Sequence, residues 1–528
     1  MPGAVATDRS PGIGASGCPS RRCADPPLEW LHLQRRESDN ESLLTVISAV
    51  LLVAYGAWSC FLASPDERLL FNPVLLSAAI VLAMIEYFWR RDRQLPIVDV
   101  GTLCVMITVI YIALPAIFYM KAGMKFTGRS DARLTIMGTT TAEVVDFLWF
   151  VTAYIAALAT TYSLLRGRGM PGPRLAIDAG ANAGWALLAI VVLAGIYQAA
   201  IEHHFGVNLN AGYQEILANM RANKVVVLPL LLGQITHNVL AIGRIGMLGI
   251  IAFVFARKSR PLALALTAWI LIETWSTVST MGARTNFAIL IMAVVLSCHR
   301  LLRPIGPVAA AVSSVALLAG LLGYGVIRQG TSISDIWVAP NEFQVLMANG
   351  INVSWEKARG TIHDVPWQII YNDFILMIPQ QLLPFPKLDI TEWYVQQLGW
   401  EKMASGLMFG VVAQSKLGFG LPEIIVRGAV LGAILALIHR QCVKHASSLT
   451  SFIIYLWLCT SIYYTYRAST FYIATWAVYR VIPFVLLFWL FSRTFRSRAD
   501  VAPASSNADP PGTAIGAAVN TSKPPIRR

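Results

Sequence analysis

Charged residues are scarce in this chain. Asp, Glu, Lys and Arg make up 13% of its 528 residues, about half the share found in ordinary soluble domains. With 56% hydrophobic residues and a mean hydropathy of +0.58, that shortage excludes a soluble multi-domain enzyme. Cysteine is also sparse: there are seven, none in the longest polar loop, so no disulfide framework is indicated. Cys18 and Cys23 lack the second ligand pair of a structural zinc site. No P-loop, no G-x-G-x-x-G between strand and helix, no H-E-x-x-H and no G-x-S-x-G in context is present. The link Ser64–Leu70 has Asp66 and Glu67 but not the acidic pair, spaced by one residue, of metal-dependent lipid-linked sugar transferases. No metal or other cofactor is expected.

Apolar runs of about 20 residues, the length that crosses a bilayer, recur from Leu43 to Phe491. They predict an all-α polytopic membrane protein with about twelve spans: 43–63, 71–89, 100–120, 143–165, 181–201, 236–256, 262–280, 284–299, 307–326, 420–439, 449–466 and 472–493. The formal charge of +13 does not indicate nucleic acid, because Lys and Arg gather in short links between the runs. Those links carry Arg90, Arg91 and Arg93; Arg166, Arg168 and Arg174; Arg257, Lys258 and Arg260; Arg300 and Arg303; and Arg440, Lys444 and His445. All fall on one side, which the positive-inside rule makes cytoplasmic, with both termini. Residues 1–40 lack the apolar core of a signal peptide. They are expected to be a disordered cytoplasmic leader, residues 41–496 the membrane domain, and residues 497–528 a disordered tail.

On the other side lie links near 121–142 and 202–235 and a large loop at about 327–420. In the second, Tyr213, Ile216, Leu217 and Met220 share a helical face, which suits either an interfacial helix or a packing helix. The large loop, with Trp355, Trp367, Trp393, Tyr394 and Trp400 among Pro366, Pro379, Pro384 and Pro386, is expected to be folded.

Ionisable residues inside spans are costly unless paired or wet. At about 1.5 Å per residue, Arg244 and Arg427 stand roughly 18 Å above the basic ends of their spans, Arg480 roughly 20 Å, and Glu273 roughly 16 Å. Arg284 sits at the outer end of a span, and Arg328 just beyond one. Two arrangements satisfy such positions: Glu273 pairs with Arg244 or Arg427 while the others snorkel, or the arginines converge on an anionic ligand. Guanidinium grips phosphate oxygens two at a time, so a lipid-linked pyrophosphate suits the second. On that reading Arg244, Arg427 and Arg480 line one outward-facing cavity.

Four segments carry a resemblance to a known family: Leu95–Met120 (LPIVDVGTLCVMITVIYIALPAIFYM), Met281–Ile289 (MGARTNFAI), Tyr371–Pro386 (YNDFILMIPQQLLPFP) and Leu417–Gly432 (LGFGLPEIIVRGAVLG). They resemble, over about half the chain in loose form, the oligosaccharide repeat-unit polymerases of bacterial surface polysaccharide pathways, the Wzy-type O-antigen polymerases. The chain departs from the pattern before Leu417, where Ala413, Gln414 and Ser415 stand in place of an acidic residue.

The resemblance implies a GT-C-like helical bundle in the inner membrane. Its substrate would be undecaprenyl-pyrophosphate-linked oligosaccharide, joined into polysaccharide at the periplasmic face, with room for a chain-length regulator as a further partner. Arg244, Arg284, Arg328, Arg427 and Arg480, with Arg221 and Arg359 in outer loops, are then the expected pyrophosphate contacts. Glu356, His363, Asp364 and Asp373 in the large loop are the expected general bases, histidine being the side chain suited to proton transfer near neutral pH. An O-antigen ligase, which delivers the same donor to lipid A core, and a flippase of the lipid-linked unit are the rival readings. A flippase would show internal repeats, and none is evident.

Overall fold

A computed structural model describes residues 67–92, 99–122, 140–169, 175–177, 179–207, 230–259, 261–269, 284–303, 305–306, 342–397 and 409–500, with scattered residues between 309 and 323. Regular structure among them is helical. The long elements are α1 (Phe71–Asp92), α2 (Val100–Ala122), α3 (Thr141–Leu165), α4 (Ala181–Phe205), α5 (Leu230–Ala256) and α6 (Arg284–Ser297). After α7 (Glu342–Ala358) and α8 (Gly410–Leu417) come α9 (Leu421–Lys444), α10 (Leu449–Ser461), α11 (Tyr472–Trp476) and α12 (Ile482–Asp500). A π turn at Ala477–Val481 joins α11 to α12, and another at Cys298–Leu302 follows α6.

Seven helices are long and apolar enough to cross a membrane, and Ile289–Leu302 and Leu449–Ser461 are shorter apolar helices. The chain is an all-α, multi-pass membrane protein. These nine helices answer to nine of the twelve expected spans. The other three, 43–63, 262–280 and 307–326, lie wholly or largely outside the described residues.

The bundle has two ends. One carries the arginine-rich links after α1, α3, α5 and α9; the other carries α7, α8 and the segment 359–397. Local chemistry sets the helix starts. Thr140 and Glu143 form a reciprocal capping box at the head of α3, satisfying two orphan backbone donors. Gly420, at φ +70°, turns the chain into α9, and Pro422 falls in that helix's first turn, where its missing N–H costs nothing.

α9 lies along α3. A Cβ on Gly428 would come within 2.6 Å of the Tyr154 carbonyl oxygen, and one on Gly432 within 2.6 Å of that of Leu158. Two glycines four residues apart thus let the backbones touch, as small residues do between membrane helices. The main core runs through α1, α2, α3, α9 and α10 around Phe88, Phe147, Tyr154 and Tyr162, all buried. The loop segments have a second core of Val353, Ile362, Ile369, Trp393, Tyr394 and Phe409. The described part of the long aromatic loop is therefore folded.

Candidate functional site

Three groups of polar side chains are built into this frame. The first is cationic and lies toward the loop end. Arg480, in the π turn between α11 and α12, donates from Nε to Asn238 Oδ1 of α5 at 3.2 Å. Its guanidinium stacks 4.2 Å from the Trp476 ring centroid. Trp476 stands edge-on to Tyr464 at 4.2 Å and to Tyr472 at 5.4 Å, and Arg467 lies 5.5 Å over Tyr464. Arg244, on α5, lies within the electrostatic reach of Arg480, Tyr463 and Tyr464. His237 feels both arginines and is seven residues from Arg244, hence on the same face of α5. Among the described residues no carboxylate forms an ion pair with Arg244 or Arg480, and the Trp476 indole N–H has no hydrogen-bond acceptor. Among the described residues the two guanidinium groups thus sit beside aromatic faces with no counter-charge, an arrangement that has the donors an anion would need.

The second group is balanced. Arg427, buried on α9, donates from Nη1 to Asp373 and from Nε to Glu423 at 2.7 Å, with Nη2 3.4 Å from the Ile370 carbonyl. Asp373 also accepts from Ser469 Oγ and from Gln414 Nε2, the latter at 3.2 Å. One arginine thus faces two carboxylates, leaving no positive excess to draw an anion. Four of these contacts tie Ile370 and Asp373 of the loop to α8, α9 and the turn before α11. The sequence argument had placed Arg427 among pyrophosphate ligands and Asp373 among bases; the geometry gives each to the other.

A third group, at the arginine end, had no counterpart in the sequence reading. Arg166 bonds Asp92 through Nη1 and Asp99 through Nε at 2.5 Å. Asp99 also accepts from Tyr162 Oη and has His439 Nδ1 at 3.6 Å. Tyr455 Oη accepts from the Val100 N–H at 3.1 Å and lies 3.3 Å from His439 Nδ1. Burial alone would push the Asp99 carboxyl up, but the charges of His439 and Arg166 and the hydrogen bonds from Tyr162 and Arg166 outweigh it, so it stays below the usual carboxylate range. The only sequence signal was that Asp99 abuts one apolar run and Arg166 another.

The remaining expected residues are placed as follows. Glu356 is half-buried near the end of α7 beside Tyr394. Arg359 is exposed, 5.3 Å over the Trp355 ring. His363 and Asp364 are exposed in the next turn, Asp364 at φ +43°, a conformation that Asp tolerates better than most residues. Arg284 opens α6; Arg221, Arg328, Glu273 and the 213–220 stripe lie outside the described residues. Two of the expected arginines, Arg244 and Arg480, are brought together. His237 and Asn238, their partners, were missed, although the seven-residue interval from His237 to Arg244 was there to be read. Among the described residues no cluster of His, Cys, Asp or Glu could hold a metal.

No protein-family model, curated protein or solved structure matches the chain.

Proposed function

We propose that this protein is a metal-independent glycosyltransferase of the bacterial inner membrane, joining polyprenyl-pyrophosphate-linked oligosaccharide units into surface polysaccharide at the loop end of the bundle. The observation that carries this reading is the Arg244–Arg480 pair, unneutralised by any described carboxylate and walled by Trp476, Tyr464 and Tyr472. Such a pair within a membrane span calls for an anionic partner, and a lipid-linked pyrophosphate brings its charge to that depth. The arginine-rich end is cytoplasmic by the charge bias of its links, so the loop end faces the periplasm. The GT-C-like bundle and the full count of about twelve spans belong to the same proposal.

In the reaction, an acceptor sugar hydroxyl attacks the anomeric carbon of the donor. The bond from that carbon to the pyrophosphate oxygen breaks, and the pyrophosphate leaves with the electron pair. Arg480 and Arg244 would hold the charge as it develops. The hydroxyl proton needs a base: His363, Asp364 and Glu356 lie in the loop, whereas Asp373 is already held by three donors.

The test is elongation of a lipid-linked oligosaccharide by the purified chain in vesicles, alongside the surface polysaccharide of a strain lacking the gene. Polymerase activity is expected to yield a ladder of chain lengths in vesicles and single capped units in the strain. If no units reach lipid A core in that strain, the reading gives way to ligase or flippase.

A further inference from the structure

Between Trp367 and Leu382 the chain carries one charged residue, Asp373, and that residue is buried in an ion pair with Arg427. Five exposed side chains of the segment are large and apolar, Trp367 at 51% exposure, Tyr371 at 48%, Phe374 at 51%, Ile378 at 40% and Leu382 at 72%; Pro379, Gln380 and Gln381, near its end, are exposed as well. Their spacing of 4, 3, 4 and 4 residues is that of a helical stripe, carried here by separate short turns at Trp367–Ile370, Asn372–Ile375 and Gln380–Leu382. The opposite side, Ile369, Asn372, Asp373 and Ile375, is buried against the bundle. The segment therefore turns a row of large apolar side chains outward while burying its only charge, the reverse of what water selects.

Its level along the bundle is set by two contacts. Asp373 is bonded to Arg427, six residues and about 9 Å inside the start of α9. Even an arginine stretched toward that end leaves Asp373 level with the first turn of an apolar span. Tyr479 Oη donates to the Met377 carbonyl at 3.2 Å, and Tyr479 lies seven residues, about 10 Å, past the start of the span that begins at Tyr472. The segment thus dips beside the helices and does not sit above them. On α9 itself Leu421, Ile425 and Val426 are exposed, and Phe374 packs on Phe471 at 5.5 Å.

We infer that residues 367–382 form a re-entrant strap whose Trp367, Tyr371, Phe374, Ile378 and Leu382 stripe is seated in the membrane, its partner being the acyl chains and interfacial zone of phospholipid in the leaflet at the loop end. Trp and Tyr at one end of the stripe match the preference of amphipathic rings for that zone, and an amphipathic segment held there needs no transmembrane length. The inference does not depend on the glycosyltransferase reading, since lipid contact is read without activity.

The experiment is photo-labelling of the full chain in phosphatidylethanolamine and phosphatidylglycerol vesicles doped with a phospholipid bearing a diazirine in its acyl chain, with adducts mapped by peptide mass spectrometry. Adducts on the 367–382 peptide at a yield comparable to the α9 peptide with Ile425 and Val426, and well above that of the exposed His363–Asp364 turn, are expected. Phe374→Glu, which leaves the buried side intact, is expected to reduce strap labelling while leaving that of α9 unchanged. A strap without adducts in wild type, while α9 is labelled, overturns the inference and leaves another part of the chain or a protein partner as its cover.

Discussion

An arginine in a membrane span is readable from sequence; what it bonds to is not. Arg427 and Arg480 stand at nearly the same distance from the loop end, yet one meets Asp373, 54 residues away in the chain, and the other meets Asn238, 242 residues away. That difference assigns them different work. Removing one member of a buried ion pair strands the other, at a cost of about 3–5 kcal/mol. Asp373→Asn and Arg427→Gln should therefore each lower the thermal unfolding temperature in detergent, and the double variant should recover part of the loss. Among the described residues Arg480 has no carboxylate to strand. Arg480→Ala should leave that temperature close to wild type while abolishing elongation, and Arg480→Lys, which keeps the charge without the two-pronged donor, should lose at least about tenfold, corresponding to about 1.4 kcal/mol. An Arg480→Ala variant that elongates normally would remove the observation on which the functional reading stands.

Asp99 gives the residue scale a pH dependence. A carboxylate with a folded pKa below its unfolded value of about 3.9 contributes stability that is complete above that value and is lost as the pH falls through the folded one. Stability from this group should therefore be flat from neutral pH down to about 4 and fall below it. Asp99→Asn should flatten that acid limb and cost stability at pH 7, by leaving Arg166 with Asp92 alone. Unfolding midpoints measured between pH 3 and 7 in wild type and variant would check both.

At the scale of elements, the spans were legible because a run of about 20 apolar residues has few alternatives in a membrane. The expected 71–89, 143–165 and 181–201 fall inside Glu67–Asp92, Thr141–Leu165 and Ala181–Phe205. Which helices touch was much less legible. The Gly428 and Gly432 pair was visible, but only the fold shows that it faces the Tyr154 and Leu158 carbonyls. A methyl group has no room there, so Gly428→Ala and Gly432→Ala should each destabilise by about 1–3 kcal/mol through forced separation of α9 from α3. An exposed glycine such as Gly195, where a Cβ would meet nothing, should tolerate alanine or gain from it. Equal unfolding temperatures for Gly428→Ala and Gly195→Ala would show that the close approach carries no weight. The strap escaped the sequence reading for a different reason: its stripe is broken across three short turns, so no single helix displays it.

For the whole molecule, the two ends differ in chemistry, and that difference predicts an orientation. Arg90, Arg91, Arg166, Arg168, Arg257, Lys258, Arg300 and Arg440 share the end that holds the Asp99 network, whereas the loop end holds α7, α8 and the strap. Short loops rich in Lys and Arg stay on the cytoplasmic side, so the bundle should present its loop end to the periplasm. Single cysteines test this at two exposed positions, Asp364→Cys in the loop and Arg168→Cys beyond α3, with wild type carried through the same labelling as background. In intact cells with a permeable outer membrane, an impermeant maleimide should modify Asp364→Cys, and should reach Arg168→Cys only after the inner membrane is opened. The reverse pattern would turn the cationic pair of Arg244 and Arg480 toward the cytoplasmic leaflet, where a periplasmic polymerisation has no substrate, and with it the proposed function would fail even if every contact described above held.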